Sequence, residues 1–177
     1  MDIFDRMVFG PEKKTKKEVK KPVKKVKNDP KILYNRRVNV AGISNYYDII
    51  NEIIESGTKR GIYTKYKGFT LKDFKNTTES IGEIADVETN TIRLEKYIYK
   101  GKDAIRVLLE GEHGNFYEIG SIPKKELPAL LPYVESKKLK VKGIFVGGTF
   151  RKYDKETNEY VDTIYDLGIE LSIIVKE

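Results

Sequence analysis

The sequence predicts a mainly β (α+β) fold, a small barrel or curled sheet of about six to seven strands with two short helices behind a disordered N-terminal tail. Three observations predict it. Apolar and polar residues alternate in most segments after Tyr34, which is typical of strands that bury one face. Within those later segments, only the ones around Ile50 and Leu130 have helical spacing. The length of 177 residues suits one domain plus a tail.

Residues 1–31 are the predicted tail, and they hold most of the net charge. They contain eleven Lys or Arg and five Asp or Glu, which gives +6 of the total +7 and leaves residues 32–177 at +1. Residues 11–31 contain paired lysines, three prolines and only valine as an apolar residue, which predicts disorder because little apolar area can offset the ordering entropy. This stretch serves either as a solubilising linker or as a polybasic arm that neutralises phosphates.

Residues 1–10 place five apolar side chains at roughly helical spacing. This spacing is typical of a docking peptide ahead of a tether, and the alternatives are a frayed terminus or a segment that folds back on the body. The chain has no apolar run of bilayer length and no secretory signal pattern, so we expect no membrane partner. Cysteine is absent, which excludes disulfides and thiolate chemistry and favours a cytoplasmic location.

The first elements of the body follow in order. "RRVNVAGIS" at 36–44 alternates loosely and predicts a strand, and "NYYDIINEIIESG" at 45–57 sets four isoleucines on one helical face with Gly57 as the C-terminal stop. "GIYTKYKGFT" at 61–70 has a strand-like pattern. Residues 81–99 predict a hairpin across "ETNT". The range 66–90 is longer than the pattern described below requires, so we interpret it as an inserted hairpin or lid.

The later elements are two hairpins around a helix. "DAIRVLLE" and "FYEIGSI" pair across the glycine-rich loop at 111–115. Residues 124–138 predict a helix that Pro128 and Pro132 break or shorten. Residues 139–153 and 160–175 then predict two closing strands around a polar loop.

The order of four short motifs resembles the HIRAN domain family, in its stand-alone bacterial or phage type. The motifs are "VNVAGIS", "KDAIRVLL", "EIGSIPKKELPALLPYV" and "KLKVKGIFVGG", and the resemblance covers roughly residues 36–175. The resemblance implies an OB-like barrel without enzymatic activity or cofactors. It also implies a single-stranded DNA partner, with a free 3′ end captured in a small pocket.

The resemblance places a first aromatic cluster at Asn45, Tyr46 and Tyr47. Stacking on bases needs aromatic faces, which the two tyrosines would provide, while Asn45 would donate a hydrogen bond without neutralising phosphate. Adjacent side chains diverge, so we expect one of the two tyrosines to pack under the helix.

The second element of the family corresponds to the residues before Ala104 and Ile105, which both match. Asp103 takes the place of the family's asparagine, and Gly101 stands where the family's aspartate helps to bind the terminal hydroxyl. Recognition of 3′ ends would then need Asp103 or a shifted register. Lys100 and Lys102 would contact phosphates, or they are solvated loop lysines.

The remaining elements add two lysines and a tyrosine. Lys124 and Lys125 are expected at a helix N-terminus, where backbone N–H groups favour anions, and they are the first contact that we predict. Tyr165 holds the place of a groove-facing aromatic near the last strand, and a core position is the alternative. The predicted site requires the tyrosines and the lysine pair to share one trough.

Enzymatic chemistry is not indicated. His113 is the single histidine, Glu110 and Glu112 are poorly spaced to form a metal site with it, and no phosphate-binding loop or nucleophilic triad is present. The competing hypothesis is an interaction adaptor that docks through residues 1–10 onto a partner protein. The near-neutral charge of residues 32–177 favours it, because dedicated nucleic-acid domains are usually more basic.

Overall fold

The computed structural model describes residues 31–177, so the predictions for residues 1–30 lie outside the described residues. The described part is mainly β, with two antiparallel sheets, one of them a curled half-barrel. This confirms the predicted fold class. No helix between residues 31 and 177 combines the length and apolarity needed to cross a bilayer.

The helices and strands of the described part run in the following order: β1 (Ile32–Asn39), α1 (Tyr47–Lys59), α2 (Leu71–Asn76), β2 (Ile81–Gly82), β3 (Glu88–Thr89), β4 (Ile92–Tyr99), β5 (Lys102–Glu110), β6 (Phe116–Ser121), α3 (Leu127–Leu130), β7 (Leu139–Asp154) and β8 (Glu159–Lys176).

The first sheet is built on the long hairpin of β7 and β8. Its order is β1-β8-β7-β2, and β3 also pairs with β7. The register of the hairpin shifts between Val146 and Gly148, where β8 has one extra residue. Gly147 of β7 lies opposite this bulge with φ 72°, and a Cβ there would overlap the carbonyl oxygen of Asp166. Only glycine therefore fits the bulge that lets the hairpin curl.

The second sheet has the order β4-β5-β6. Lys100 and Gly101 alone connect β4 to β5, with φ 49° and 75°. Positive φ at both central residues is the geometry of a type I′ turn, whose twist matches that of the strands. The turn fixes the register of β4 on β5, from Tyr99 opposite Lys102 to Ile92 opposite Leu109.

A single hydrophobic core joins the two sheets and α1. Alternate residues of β5 and β8 point into it, and α1 adds its isoleucine face. Side chains of this size contribute about 1.5–3 kcal/mol each when fully buried, so the core is the main source of stability. The fully buried members include Ile50, Ile105, Val107, Leu109, Ile119, Leu130, Phe145, Leu171, Ile173 and Val175.

Three predicted elements are confirmed. β5 and β6 pair across residues 111–115, and β7 and β8 form the closing hairpin. The helix predicted at 124–138 is broken as expected, into a 3-10 turn, the four-residue α3 and a second 3-10 turn. The two-helix prediction misses α2, which has six residues with Thr70 as its N-cap.

The hairpins predicted within 66–90 and 81–99 are wrong. β2 and β3 each contain two residues and pair with β7, while β4 pairs with β5. The strand predicted at 61–70 is a bend, with Tyr66 and Lys67 both at positive φ.

The predicted helix stop at Gly57 is also wrong, because α1 continues to Lys59. A Cβ at Gly57 would overlap the ring of Tyr63, which packs there in the core. The close approach of an aromatic side chain therefore accounts for this glycine.

Candidate nucleic-acid interface

The side of the second sheet that faces away from the core carries a cluster of aromatic and charged side chains. Ile105, Val107 and Leu109 of β5 are fully buried, so Arg106 between them points outward. Residues that pair with outward-facing positions of β5 share that face. We call this surface the outer face and define it by Arg93, Glu95, Tyr97, Tyr99, Arg106, Phe116 and Glu118.

Tyr46 joins the outer face through a hydrogen bond. It lies in the 3-10 turn before α1, and its hydroxyl donates to Glu118 Oε1 at 2.7 Å. This bond, with burial and the negative charge of Glu118, raises the pKa of Tyr46 to about 12. The phenol is therefore neutral at physiological pH, and the bond holds the ring against β6.

Arg106 lies between two carboxylates at the centre of the outer face. Its Nε donates to Glu95 Oε2 at 2.9 Å, and its Nη1 lies 3.8 Å from Glu118 Oε2. The guanidinium carbon is also 5.9 Å from the ring centroid of Tyr97. Such packing fixes the guanidinium plane, and guanidinium planes stack on bases as well as on aromatic rings.

The aromatic rings of the outer face are partly accessible. Tyr97 and Tyr99 lie 6.3 Å apart between centroids, and Tyr99 is 53% exposed. Arg93 stacks on Phe116 at 4.0 Å. Burial, followed by the negative charge of Glu118, raises the pKa of Tyr97. The result is a row of rings interleaved with cations, which suits unpaired bases.

The β4–β5 turn places the predicted loop residues on opposite sides of the hairpin. Lys100 is exposed, with its Nζ 5.2 Å from the Tyr99 ring centroid. Lys102 pairs with Tyr99 and points to the side of the outer face. Asp103 pairs with Ile98 and has the opposite orientation. The predicted group of Lys100, Lys102 and Asp103 is thus divided, because alternation separates neighbouring side chains.

Tyr47 and Tyr165 meet at a second surface. Together they line a cavity of about 300 Å³ between α1 and the β7–β8 hairpin, where the exposed Tyr165 ring packs edge-on against Phe150 at 5.4 Å. The neighbouring Tyr46 is bonded to Glu118 instead. The two adjacent tyrosines therefore diverge as expected, and they belong to different surfaces rather than to one trough.

Asn45, Lys124 and Lys125 are all exposed. Asn45 lies in the same turn as Tyr46. The lysines lie in a 3-10 turn that begins three residues after β6 ends, and within residues 31–177 they form no ion pair. The helical stretch begins at Lys124 as predicted, but its first turn is a 3-10 turn, and α3 begins only at Leu127. No hydrogen bond in the described part of the chain joins these lysines to Tyr46.

Several residues of the outer face were missed by sequence reasoning, above all Tyr97, Arg106 and Glu118. The signal was present in "RLEKYIYKGKDAIR", where every second residue of the first half is charged or aromatic. The dipeptide Lys100–Gly101 marks the tight turn that aligns the two strands. Assigning β4 to the wrong partner concealed this alignment.

His113 lies in the exposed turn between β5 and β6, with φ 55°. Within the described residues, no three His, Asp or Glu side chains are grouped so that they could hold a metal ion.

Comparisons of the chain with protein-family models, with curated proteins and with solved structures found no match.

Proposed function

We propose that the outer face binds single-stranded DNA without catalysing a reaction. The observation that carries the proposal is the convergence of Tyr46, Tyr97, Tyr99 and Arg106 on one accessible surface. A single strand offers unpaired bases, and an alanine substitution that removes base stacking costs about 1–3 kcal/mol per base. Two or three stacked bases would give affinity for a single strand without distinguishing one base sequence from another.

The charges of the outer face suit bases more than phosphates. Glu95 and Glu118 flank the single guanidinium of Arg106, so the centre of the face is not cationic. Exposed lysines lie away from this centre, at Lys100 in the turn, at Lys102 where β5 begins and at Lys124 after β6. We infer that bases stack at the centre while the phosphates follow the lysines, and that the lysine-rich tail adds non-specific attraction.

The resemblance to HIRAN domains supports the same partner and raises the question of 3′ ends. Gly101 replaces the aspartate that would hold a terminal hydroxyl, and Asp103 points away from the outer face. Glu118 keeps unused acceptor capacity beside Tyr46, so a terminal hydroxyl has a carboxylate partner available. Oligonucleotides that end in a 3′ hydroxyl or a 3′ phosphate distinguish strand binding from end recognition.

Fluorescence anisotropy with the full chain and a labelled oligothymidylate tests the proposal. Tyr99→Ala should weaken binding by roughly tenfold, because it removes one stacking platform worth about 1–3 kcal/mol. Tyr165→Ala is the matched control, since Tyr165 has similar exposure but lies at the second surface. Equal losses for the two variants, or no binding by the full chain at low salt, would contradict the proposal.

The second candidate function is a protein interaction adaptor that docks through residues 1–10. The charge of +1 for residues 32–177 favours it. A full chain with Phe4→Ala and Phe9→Ala should then lose its protein partner in a pulldown and keep any affinity for DNA. If the variant captures the same proteins as the parent chain, this second candidate fails and the proposed binding of DNA by the outer face remains.

A further inference from the structure

The β7–β8 hairpin leaves one edge of β8 without a partner strand. β1 pairs with β8 only as far as Asn39 opposite Glu170, and the Val40 amide donates to the Ile169 carbonyl at 2.9 Å. Within residues 31–177, the segment 159–168 pairs with β7 alone. We call this segment the free edge. Unpaired backbone of this length is a template for another strand.

The hydrogen bonds of β2 show which groups of the free edge point outward. The Glu83 amide donates to the Thr149 carbonyl at 2.7 Å, so the backbone of Thr149 points away from β8. In an antiparallel ladder the opposite residue also points away, and Ile164 lies opposite Thr149. Ile164 and, by alternation, Asp162 therefore present their N–H and C=O groups to a partner.

The free edge lacks two of the features that usually prevent strand addition, lysine and proline, and its bulge lies at one end, beyond Tyr165. Its sequence "EYVDTIYDLG" contains no lysine and no proline, and β-branched and aromatic residues dominate its centre. Ile164 is 79% exposed, the highest value among the large apolar side chains of residues 31–177. An extended segment with apolar residues would cover this side chain.

The cavity beside the free edge favours a cation. It is the cavity of about 300 Å³ that Tyr47 lines, and its wall includes Ile164, Asp166 and the carboxylates of Glu55 and Glu83. Lys65 bonds to both glutamates, at 2.8 Å from Glu83, and is the only cation in the lining. Three carboxylates against one ammonium leave the lining two negative charges in excess.

Two other occupants fit the free edge less well. A second copy paired in antiparallel register on Ile164 would set Asp162 opposite Asp166 of its neighbour, and like charges directly opposite are destabilising. The chain's own stretch 11–31 has the basic charge, but its three valines are four and three residues apart and so do not alternate with lysine, and Pro22 and Pro30 interrupt it.

We propose that the free edge accepts an extended segment of a partner protein as an added strand, and that this segment alternates apolar residues with Lys or Arg. The main-chain ladder gives affinity, while one basic side chain enters the acidic cavity and gives specificity. This inference does not depend on the proposed binding of DNA, since the outer face lies on the other sheet.

Amide hydrogen exchange of the full chain, measured by NMR, tests the proposal. The probes are two capped peptides of about ten residues, a usual strand length, one alternating valine with lysine and the other valine with glutamate. The valine–lysine peptide should slow exchange at Asp162 and Ile164. The amides of Thr163 and Tyr165, which face β7, report whether the hairpin is folded. The valine–glutamate peptide should bind at least about tenfold more weakly, a difference of about 1.4 kcal/mol.

Two variants make the test specific. Ile164→Pro removes an amide that faces the free edge and is not used by β7, and it should abolish binding of the valine–lysine peptide. Ile164→Thr keeps the amide and should bind within about threefold of the parent chain, since only side-chain contact is lost. Equal binding of both peptides, or no protection at Asp162 and Ile164, overturns the proposal.

The free chain provides the remaining outcomes. Protection of Asp162 and Ile164 that grows with protein concentration would assign the edge to a second copy. Protection that does not depend on concentration would assign it to a segment of the same chain. Either result would overturn the assignment to a partner protein.

Discussion

At the scale of single residues, two tyrosines act as neutral donors to carboxylates. Tyr46 donates to Glu118 at 2.7 Å, and Tyr34 donates to Glu126 at 2.9 Å. Both bonds link segments that are far apart in the sequence. The Tyr46 bond joins the turn before α1 to β6 of the second sheet, and the Tyr34 bond joins β1 to the turn that follows β6. Each bond exists only while the phenol is protonated, because two anions would repel each other.

We therefore expect a loss of stability at alkaline pH that depends on these two residues. The hydrogen bond to Glu118 for Tyr46, and burial for Tyr34, raise each pKa from 10.0 to about 12 in the folded chain. A raised folded pKa means that the stabilisation is complete below pH 10 and declines as the pH rises toward 12. Urea unfolding at several pH values should show this decline, and the double variant Tyr34→Phe with Tyr46→Phe should show a shallower one.

The control for this experiment is Tyr117→Phe, because the Tyr117 hydroxyl makes no hydrogen bond within residues 31–177. Its curve of unfolding free energy against pH should run parallel to that of the parent chain. A double variant that also runs parallel would show that the two carboxylate bonds do not govern alkaline stability.

At the scale of elements, tight turns and bulges decide where the side chains of the candidate site lie. The two-residue turn at Lys100–Gly101 aligns β4 with β5 and so brings Tyr97 beside Arg106. The bulge at Gly147 lets β7 and β8 curl, and the second surface forms directly beyond it. Both features depend on positive φ at positions that side chains rarely tolerate.

We predict that Gly147→Ala destabilises the chain far more than Gly61→Ala. Both glycines have positive φ, 72° and 74°, so both variants incur the cost of about 1–2 kcal/mol for a left-handed backbone. Gly61 has open space around it, whereas a Cβ at Gly147 meets the Asp166 carbonyl. Urea unfolding should show at least about 2 kcal/mol of additional loss for Gly147→Ala, the size of an overpacking penalty. Equal losses would mean that the bulge can open without cost.

At the scale of the whole molecule, the sequence predicts elements that bury one face and misses those stabilised by distant contacts. The alternation of apolar and polar residues was sufficient to predict the strands β5 to β8, because each of them has one side in the core. In the region 61–90 the strand-like pattern of residues 61–70 is misleading, because Phe74 is buried there among Tyr66, Phe69 and Tyr160, the last from β8. Distant contacts also explain why the predicted trough is in fact two separate surfaces. Strand register decides which side chains share a face, and the sequence alone did not reveal that register.

At the same scale, the proposed binding of DNA would be divided between the basic tail and the nearly neutral body. A lysine that contacts a phosphate releases counterions, so log K falls with log salt by about 0.7 per contact for single strands. Stacking on the outer face, as proposed, would release few counterions and contribute affinity with little salt dependence. The two contributions therefore separate in a salt titration, even though both weaken binding when they are removed.

We predict that replacing the nine lysines between Lys13 and Lys27 with glutamine makes the slope of log K against log salt less steep. Each phosphate contact that is lost should lower the slope by about 0.7, and up to nine contacts can be lost. Tyr99→Ala should instead shift the whole line to weaker binding and leave its slope unchanged. The comparison needs anisotropy titrations at four or more salt concentrations with one oligothymidylate. If the lysine-replaced chain fails to bind at every salt concentration, the tail alone accounts for the affinity and the outer face is not a DNA-binding surface.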